Sequence, residues 1–372
     1  MATIYDVAEA AGVTAATVSN VVTGNGTLDD TTRHRVRQVI EELGYQPSML
    51  ARNLSARQSY TLGLIVPNLS NPFYCELARE IESVARHRGY SVFLCVTGSD
   101  EVVGRTYLRQ LASRQADGVI IMGGAVGLED VDAAAWGCLP MVLCLWEERD
   151  ELPALSLVGV DFFRVGQVAA QHLLALGHSH IGVIGAVSAS RVRHTERVAG
   201  FASTLAAAGV SLDARWLWSG SSSVSGGFAA MESLLQLDDR PTAVFCTNDQ
   251  MAMGALRCAI DRNVAVPRDI SIVGVDDVVL SAYTYPPLTT VAIPQREIAS
   301  EAVALLLHRF GKDASQEEQT LNLPPSLIER ASTASFGPAI RVELPISSAA
   351  YPDLLDRLIG GRPDVWHMAE SV

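Results

Sequence analysis

The first two dozen residues decide the fold: they read MATIYDVAEAAGVTAATVSNVVTG, Met1–Gly24. Thr3 and Asp6 have the spacing of a capping box, which satisfies backbone N–H groups at the start of a helix. The apolar residues behind them recur at helical spacing, so one stripe of this helix is buried. Gly12 is placed to end the helix, because glycine adopts a positive φ most readily.

A second short helix follows the turn at Gly12, and Thr14 can cap it. Its apolar residues point inward, and they are Val18, Val21 and Val22. The face predicted to point outward carries small and amide side chains: Ala15, Ala16, Thr17, Ser19 and Asn20. Two short helices joined by a glycine-containing turn are typical of a helix-turn-helix. On this pattern alone, an ordinary helical hairpin is the alternative.

Residues 4–22, IYDVAEAAGVTAATVSNVV, resemble almost residue for residue the N-terminal signature of the lac-repressor (LacI/GalR) family of bacterial transcription regulators. The resemblance implies sequence-specific binding to a double-stranded, pseudo-palindromic DNA operator. The DNA-binding residues that it implies in the headpiece are Thr3, Tyr5, Thr14, Ala15, Ala16, Thr17, Ser19, Asn20 and Asn25. The family usually has Arg at the position of Asn20, and because Asn prefers adenine we expect an altered operator.

A third helix, capped by Thr31 or Thr32, is predicted to complete a helix-turn-helix headpiece over residues 1–46. The net charge of the chain is −13, which argues against a protein that coats nucleic acid generally. A phosphate-binding surface must therefore come from local clustering, which this third helix offers at Arg33, Arg35 and Arg37.

Residues 47–60 connect the headpiece to the remainder of the chain. One or two turns of isolated helix are unstable in water, so physical reasoning alone favours a plain linker. In the family this segment is the hinge helix, which orders when two protomers sit together on DNA. The resemblance implies that Ala51 and Leu54 enter the minor groove, with Leu54 as the wedge between base steps.

From residue 61 onward, buried strands alternate with helices in two successive sets. This pattern predicts two doubly wound parallel-sheet subdomains, an α/β core like that of periplasmic binding proteins, over residues 61–333. We expect the first subdomain over 61–160 and 291–333 and the second over 161–290. Residues 286–291 resemble the family's crossover back to the first subdomain. A small-molecule effector is expected between the subdomains, at the carboxyl ends of the strands.

Four candidate effector-binding residues come from loops that follow strands. Asn71 and Phe73 follow the first strand, where the Phe73 ring can either stack on a sugar or base or pack in the core. Ser222 lies where several family members have an aromatic floor. Trp146 can replace that stacking surface from the other side of the cleft.

The second subdomain supplies three further candidates. Arg197 matches the family's Arg-x-x-Gly-aromatic motif, whose Arg forks hydrogen bonds to the effector; a structural ion pair is the alternative. One residue of the pair Asn248–Asp249 should cap the next helix, and we assign the cap to Asp249 and ligand binding to Asn248. Asp276 ends a strand as the family's effector-binding Asp does, although Asp277 could share the task.

The sequence is interpreted as a homodimeric transcriptional repressor controlled by a sugar or polyol, with a nucleoside or purine as the alternative effector. The first-subdomain faces are expected to form most of the dimer interface. The rival classes are an enzyme and a solute-binding protein without DNA function. The chain has no G-x-S-x-G, P-loop or paired metal-ligand motif, so we expect no enzymatic activity, cofactor or metal, including at His178 and His180.

Two further expectations concern the surroundings of the chain. It has neither an export signal nor an apolar run of eighteen residues, so a cytoplasmic protein without a membrane partner is expected. Six cysteines without a C-x-x-C pair are expected to be buried thiols.

The resemblance ends near residue 333, and residues 334–372 are predicted to form a mostly flexible tail, too short for a heptad zipper.

Overall fold

The computed structural model of the chain describes residues 2–23, 28–45, 58–113, 116–127, 139–145, 155–186, 195–310, 318–341 and 367–368. The chain divides into two compact units. The first comprises residues 1–60 with 115–117, and the second comprises the rest.

The first unit contains a three-helix headpiece. Its helices are α1 (Ile4–Ala11), α2 (Ala15–Thr23) and α3 (Asp30–Glu42). The predicted capping box is present, with reciprocal hydrogen bonds between Thr3 and Asp6, and Gly12 ends α1 with φ +63°. The three helices bury one apolar cluster composed of Val7, Ala8, Ala11, Val18, Val21 and Val36. The helix-turn-helix prediction is therefore confirmed.

The start of α3 differs from the prediction. Asp29 caps the helix by accepting a hydrogen bond from the N–H of Thr32 at 2.8 Å, so neither Thr31 nor Thr32 is the cap. An Asp carboxylate accepts such bonds more strongly than a hydroxyl, because it is charged and lies at the positive end of the helix dipole.

The second unit begins with a six-stranded sheet in the order β11-β5-β4-β3-β1-β2, whose strand pairs are all parallel. Most of its strands are buried on both faces, as a doubly wound sheet requires. Its strands are β1 (Thr61–Val66), β2 (Ser91–Val96), β3 (Gly118–Met122), β4 (Met141–Cys144), β5 (Ser156–Val160) and β11 (Thr320–Leu323). The helices of this subdomain are α4 (Pro72–His87), α5 (Glu101–Ser113) and α10 (Gln295–His308).

The other sheet of this unit has seven strands in the order β12-β10-β9-β8-β6-β7-β13. Its strands are β6 (Ile181–Gly185), β7 (Leu217–Ser219), β8 (Ala243–Cys246), β9 (Ser271–Asp276), β10 (Thr289–Ala292), β12 (Ser326–Ile328) and β13 (His367–Met368). The helices of this subdomain are α6 (Phe162–Ala175), α7 (Thr195–Ala207), α8 (Val224–Leu235) and α9 (Asp249–Asp261). The prediction of two subdomains with parallel sheets is confirmed.

The chain crosses between the sheets at different points from those expected. Strand β10 pairs in parallel with β9 of the second sheet, so the return to the first subdomain follows Ala292 and does not lie within 286–291. Strand β11 then pairs with β5, and β12 comes back to pair antiparallel with β10. Residues 326–328 therefore belong to the second sheet, which the sequence pattern alone did not indicate.

The start of the segment beyond residue 333 is anchored on the second subdomain. The N–H groups of Phe336 and Ile340 donate to the carbonyls of Leu176 and Leu174, and the Phe336 ring stacks on His178 at 5.5 Å. Strand β13 pairs with β7. The prediction of a flexible tail is therefore wrong for residues 334–341 and for β13.

Two expectations from composition concern the cysteines and a membrane span. Among the cysteines of the described ranges, Cys75 is exposed and the others are buried, namely Cys95, Cys144, Cys246 and Cys258; Cys138 lies outside those ranges. No helix within the described ranges is long and apolar enough to cross a bilayer.

Candidate functional site

The predicted DNA-reading face lies on α2. Ala16, Ser19 and Asn20 are exposed on it, and Ala15 and Thr17 are partly exposed. Thr14 precedes the helix, and its hydroxyl oxygen accepts a hydrogen bond from the N–H of Thr17 at 3.2 Å. The exposed side chains are small, so the backbone of this helix can approach a groove closely.

The remaining DNA-facing candidates are distributed around α1 and the linker. Tyr5 is 74% exposed, which is unusual for an aromatic ring on a core helix. The side chain of Thr3 is engaged in the capping box. Asn25, Ala51 and Leu54 lie outside the described residues.

The three arginines of α3 do not form one equivalent set. Arg33 pairs with Asp30 at 3.5 Å and donates to the carbonyl of Leu28. Arg35 and Arg37 are exposed. Their charges are therefore presented to solvent, whereas that of Arg33 is partly compensated within the headpiece.

In the second subdomain, Arg197 is held at the centre of a buried polar group. It is 7% exposed and donates from Nη1 to the carbonyl of Thr247 at 2.7 Å. The same nitrogen lies 3.6 Å from Oδ1 of Asp276. The guanidinium carbon also lies over the ring of Phe162, 4.7 Å from its centroid, which is the position of a cation–π contact.

Two glycines set the height of Arg197 above Phe162. A Cβ on Gly200 would lie far inside 3.0 Å of the carbonyl oxygen of Phe163, and one on Gly166 would meet the carbonyl of Arg197 in the same way. Helices α6 and α7 therefore touch backbone to backbone at this point. The glycine of the Arg-x-x-Gly-aromatic motif is required by this contact.

The two aspartates at the end of β9 have different partners. Asp276 is 3% exposed and faces Arg197. Asp277 forms an ion pair with Arg330 at 2.6 Å. Asp276 therefore stays a candidate effector ligand, whereas Asp277 has a structural partner of its own.

The assignment of the cap at residues 248 and 249 is wrong. Asn248 caps α9, because its Oδ1 accepts a hydrogen bond from the N–H of Met251 at 2.9 Å. Asp249 is the first helical residue and is fully buried. Asn248 remains a ligand candidate nonetheless, since its buried Nδ2 has no hydrogen-bond partner among the described residues. The Asn248 side chain thus caps the helix with its amide oxygen, and its NH2 group remains available as a hydrogen-bond donor.

The candidates in the first subdomain, Asn71 and Phe73, have structural roles of their own. Asn71 caps α4 by accepting from the N–H of Phe73 at 3.0 Å, and Phe73 is 6% exposed. Next to them, the carbonyl of Ser70 accepts a hydrogen bond from Nε2 of Gln250 at 2.9 Å. This bond brings the loop after β1 to the start of α9, two residues beyond Asn248.

Two other candidates are placed less informatively. Ser222 is half-buried, has φ +52° and lies in the turn after β7. Trp146 lies outside the described residues. Within the described residues, neither Ser222 nor Trp146 therefore adds support for the predicted stacking surface.

The sequence reasoning missed three residues of this site: Phe162, Thr247 and Gln250. Phe162 was detectable, because two aromatic residues, Phe162 and Phe163, come one position after the buried strand β5. Thr247 acts through its carbonyl, so no side-chain pattern could identify it.

His178 and His180, which are two residues apart, have different surroundings. His178 is buried, and its ring nitrogens lie 2.9 Å from Thr242 Oγ1 and 3.1 Å from Ser271 Oγ. His180 is exposed. No group of three His, Cys, Asp or Glu side chains suited to a metal occurs within the described ranges.

Comparison with known proteins finds a matching family model in each of the two units. Residues 3–48 match the model of the bacterial regulatory proteins of the lacI family, and residues 170–333 match a periplasmic binding protein-like domain. The chain is similar to the HTH-type transcriptional repressor PurR of Mannheimia succiniciproducens, with 35% identity over 89% of this chain and 98% of that protein. Catabolite control protein A of Priestia megaterium is 34% identical over 89% of this chain and 99% of its own length.

Solved structures give the same result at the level of the fold. A lac repressor dimer bound to operator and the anti-inducer ONPF has a TM-score of 0.79 at 29% identity, covering 90% of this chain and 99% of that one. A complex of the transcriptional regulator CelR with cellobiose has a TM-score of 0.66 at 29% identity, covering 89% and 100%. The chain therefore belongs to the lacI family of bacterial transcriptional regulators.

Proposed function

We propose that the chain is a cytoplasmic, homodimeric repressor that binds a pseudo-palindromic operator. An effector in the cleft either releases the protein from this operator or strengthens its binding. A two-fold protein reads a two-fold DNA site. The proposed DNA contacts are Thr3, Tyr5, Thr14, Ala15, Ala16, Thr17, Ser19, Asn20, Asn25, Ala51 and Leu54. Exposure of Ala16, Ser19 and Asn20 on one face of α2 supports this role.

The effector site is proposed to consist of Asn71, Phe73, Trp146, Arg197, Ser222, Asn248 and Asp276. The observation that carries the proposal is the buried group in which Arg197 lies beside Asp276 over an aromatic ring. A carboxylate, a guanidinium fork and an amide donor are suited to neighbouring hydroxyl groups. A sugar or polyol is therefore the first effector class.

A purine or nucleoside is the second effector class. It is favoured by the similarity to a repressor named PurR and by the same chemistry, because an amide and a carboxylate can bind the polar edge of a base. Neither class requires a cofactor or a chemical step. A regulator without enzymatic activity is accordingly preferred over an enzyme or a solute-binding protein without DNA function.

A thermal-shift screen of sugars, polyols and nucleosides tests the effector site. Ligand binding to the folded state raises the unfolding temperature. We expect one class to do so in the wild type and in Arg215→Ala, but not in Arg197→Ala. Arg215 is a matched control because it is an exposed arginine of the same subdomain, paired with Asp213 and Asp239. A response retained in Arg197→Ala would remove Arg197 from the site.

Selection of binding sites from random DNA tests the operator proposal. We expect an inverted repeat, with adenine enriched at the position that Asn20 contacts. An Asn20→Ala variant should lose this enrichment and keep binding to the remaining positions. Recovery of a single, non-repeated site would contradict the two-fold mode of binding.

A further inference from the structure

The turn that follows β9 has an unusual backbone. Asp276 and Asp277 are consecutive, non-glycine residues with φ of +117° and +54°. Non-glycine residues rarely adopt such conformations, and they persist only where their surroundings hold them. The turn over residues 276–279 therefore needs partners that fix it.

One partner is Asp249, in the second subdomain. Its fully buried carboxylate accepts hydrogen bonds from Ser281 Oγ and Thr290 Oγ1, both at 2.6 Å, and from the N–H of Val278 at 3.1 Å. Gly274 makes room for it, because a Cβ there would lie far inside 3.0 Å of Asp249 Oδ1. Asp249 thus ties the start of α9 to the turn.

The other partner is Glu76, on α4 of the first subdomain. Its Oε1 accepts a hydrogen bond from the N–H of Val279 at 2.9 Å, and its Oε2 accepts one from Nε2 of Gln295 at 3.3 Å. Gln295 is the first residue of α10, directly after the chain has crossed between the sheets. Two adjacent N–H groups of one turn are therefore held by carboxylates from different subdomains.

We propose that the turn over residues 276–279 couples the effector carboxylate of the second subdomain to the first subdomain, with Asp249 and Glu76 as positioning residues on its two sides. This inference rests on the proposed function in taking Asp276 as an effector ligand. When Asp276 rotates toward a ligand, Asp249 restrains Val278, so the movement passes to Val279. Glu76 receives it and transmits it to α4.

The geometry makes this route specific. The N–H of Val279 points out of the second subdomain, and a charged acceptor on α4 meets it, so a shift of the turn changes a charge-assisted bond. The coupling cannot exceed the difference in free energy between the states that the effector distinguishes. A merely structural role for Asp249 would affect the second subdomain alone.

Amide hydrogen exchange on the full-length protein without ligand tests the coupling. We expect Asp249→Asn to raise exchange at least fivefold in residues 277–282 and also in residues 76–80 of α4. In a Glu76→Ala background, Asp249→Asn should still affect residues 277–282 but add less than twofold in α4. The control is Glu80→Ala on the same helix, whose carboxylate faces Arg296 at 3.8 Å instead of the turn. In that background the α4 effect should persist.

Unchanged exchange in α4 of Asp249→Asn would overturn the proposal, as would an equal α4 effect with and without Glu76. If Asp249→Asn does not fold, Thr290→Val removes one of its hydrogen bonds at nearly constant shape and replaces it in the same design. Titration of the wild type with ribose, cellobiose and the purine nucleoside adenosine tests the proposed effector site separately. A failed titration with positive exchange data would count against that site and leave the mechanical coupling in place.

Discussion

The replacement of Gly200 by alanine is predicted to damage effector binding without touching an effector ligand. An added Cβ would lie far inside the closest approach of 3.0 Å to the carbonyl oxygen of Phe163. Both atoms belong to helices, so α6 and α7 must separate by more than about 1 Å. Overpacking of this kind typically destabilises by about 1–3 kcal/mol.

The same separation moves Arg197, which lies one turn before Gly200 on α7. A shift of about 1 Å lengthens its 2.7 Å bond to the carbonyl of Thr247 beyond hydrogen-bond range. Hydrogen bonds of charged groups contribute roughly 1.5–3 kcal/mol. If effector binding depends on this orientation, affinity should fall by roughly 10- to 100-fold, since 1.4 kcal/mol is about a factor of ten.

Urea unfolding and effector titration by calorimetry measure the two effects on Gly200→Ala. The matched control is Gly159→Ala, because a Cβ on Gly159 would meet its nearest neighbour, the Cα of Leu145, at an ordinary 3.5 Å. The control should keep both stability and affinity near wild type. Wild-type stability and affinity in Gly200→Ala would refute the argument that backbone contact positions Arg197.

Two further predictions concern pH. Burial raises the pKa of Asp249 to about 7, so the folded state holds a proton that the unfolded state releases near pH 4. The contribution of this proton to the free energy of unfolding is full below pH 4 and is lost as pH rises through 7. Urea unfolding at pH 5 and pH 8 should show this loss, of a few kcal/mol, in the wild type but not in Asp249→Asn, and an identical pH dependence of the two would refute it. Burial lowers the pKa of His178, so its contribution is present above pH 6.5 and is lost as pH falls through the lowered pKa. Between pH 7.5 and 5, His178→Gln should therefore lose less stability than either the wild type or the exposed control His180→Gln, and equal losses in all three proteins would contradict this.

The headpiece could be predicted in detail because its determinants are local. The Thr3–Asp6 capping box, the buried stripe of α1 and the left-handed Gly12 all follow from residues within one helix. The cap of α3 was missed although it is also local. Asp29 and the two threonines all have side chains that cap helices, and only the geometry of the chain entering α3 selects between them.

For the proposed effector site, the sequence indicated candidate residue types but not which residue caps a helix and which keeps a free polar group. Asn248 and Asp249 are adjacent and both suit a helix cap, so spacing alone could not separate them. What decides the roles is distant in sequence: Ser281 and Thr290 form the hydroxyl environment that takes the carboxylate of Asp249 into the core. A sequence pattern read one helix at a time does not contain that information.

The same reasoning explains why the crossovers were misplaced. Strand β10 is only four residues long and does not by its sequence select one sheet, so its partner is settled by tertiary contacts that include Thr290 with Asp249. Thr290 therefore joins two features that looked separate in the sequence: the point where the chain leaves the second sheet and the turn that carries Asp276. A shift of one subdomain relative to the other acts directly on that turn, because Gln295 and Val279 both donate hydrogen bonds to the carboxylate of Glu76. In the proposed coupling, this shared acceptor lets a small movement at the proposed effector site reach the first subdomain without a continuous chain of moving side chains.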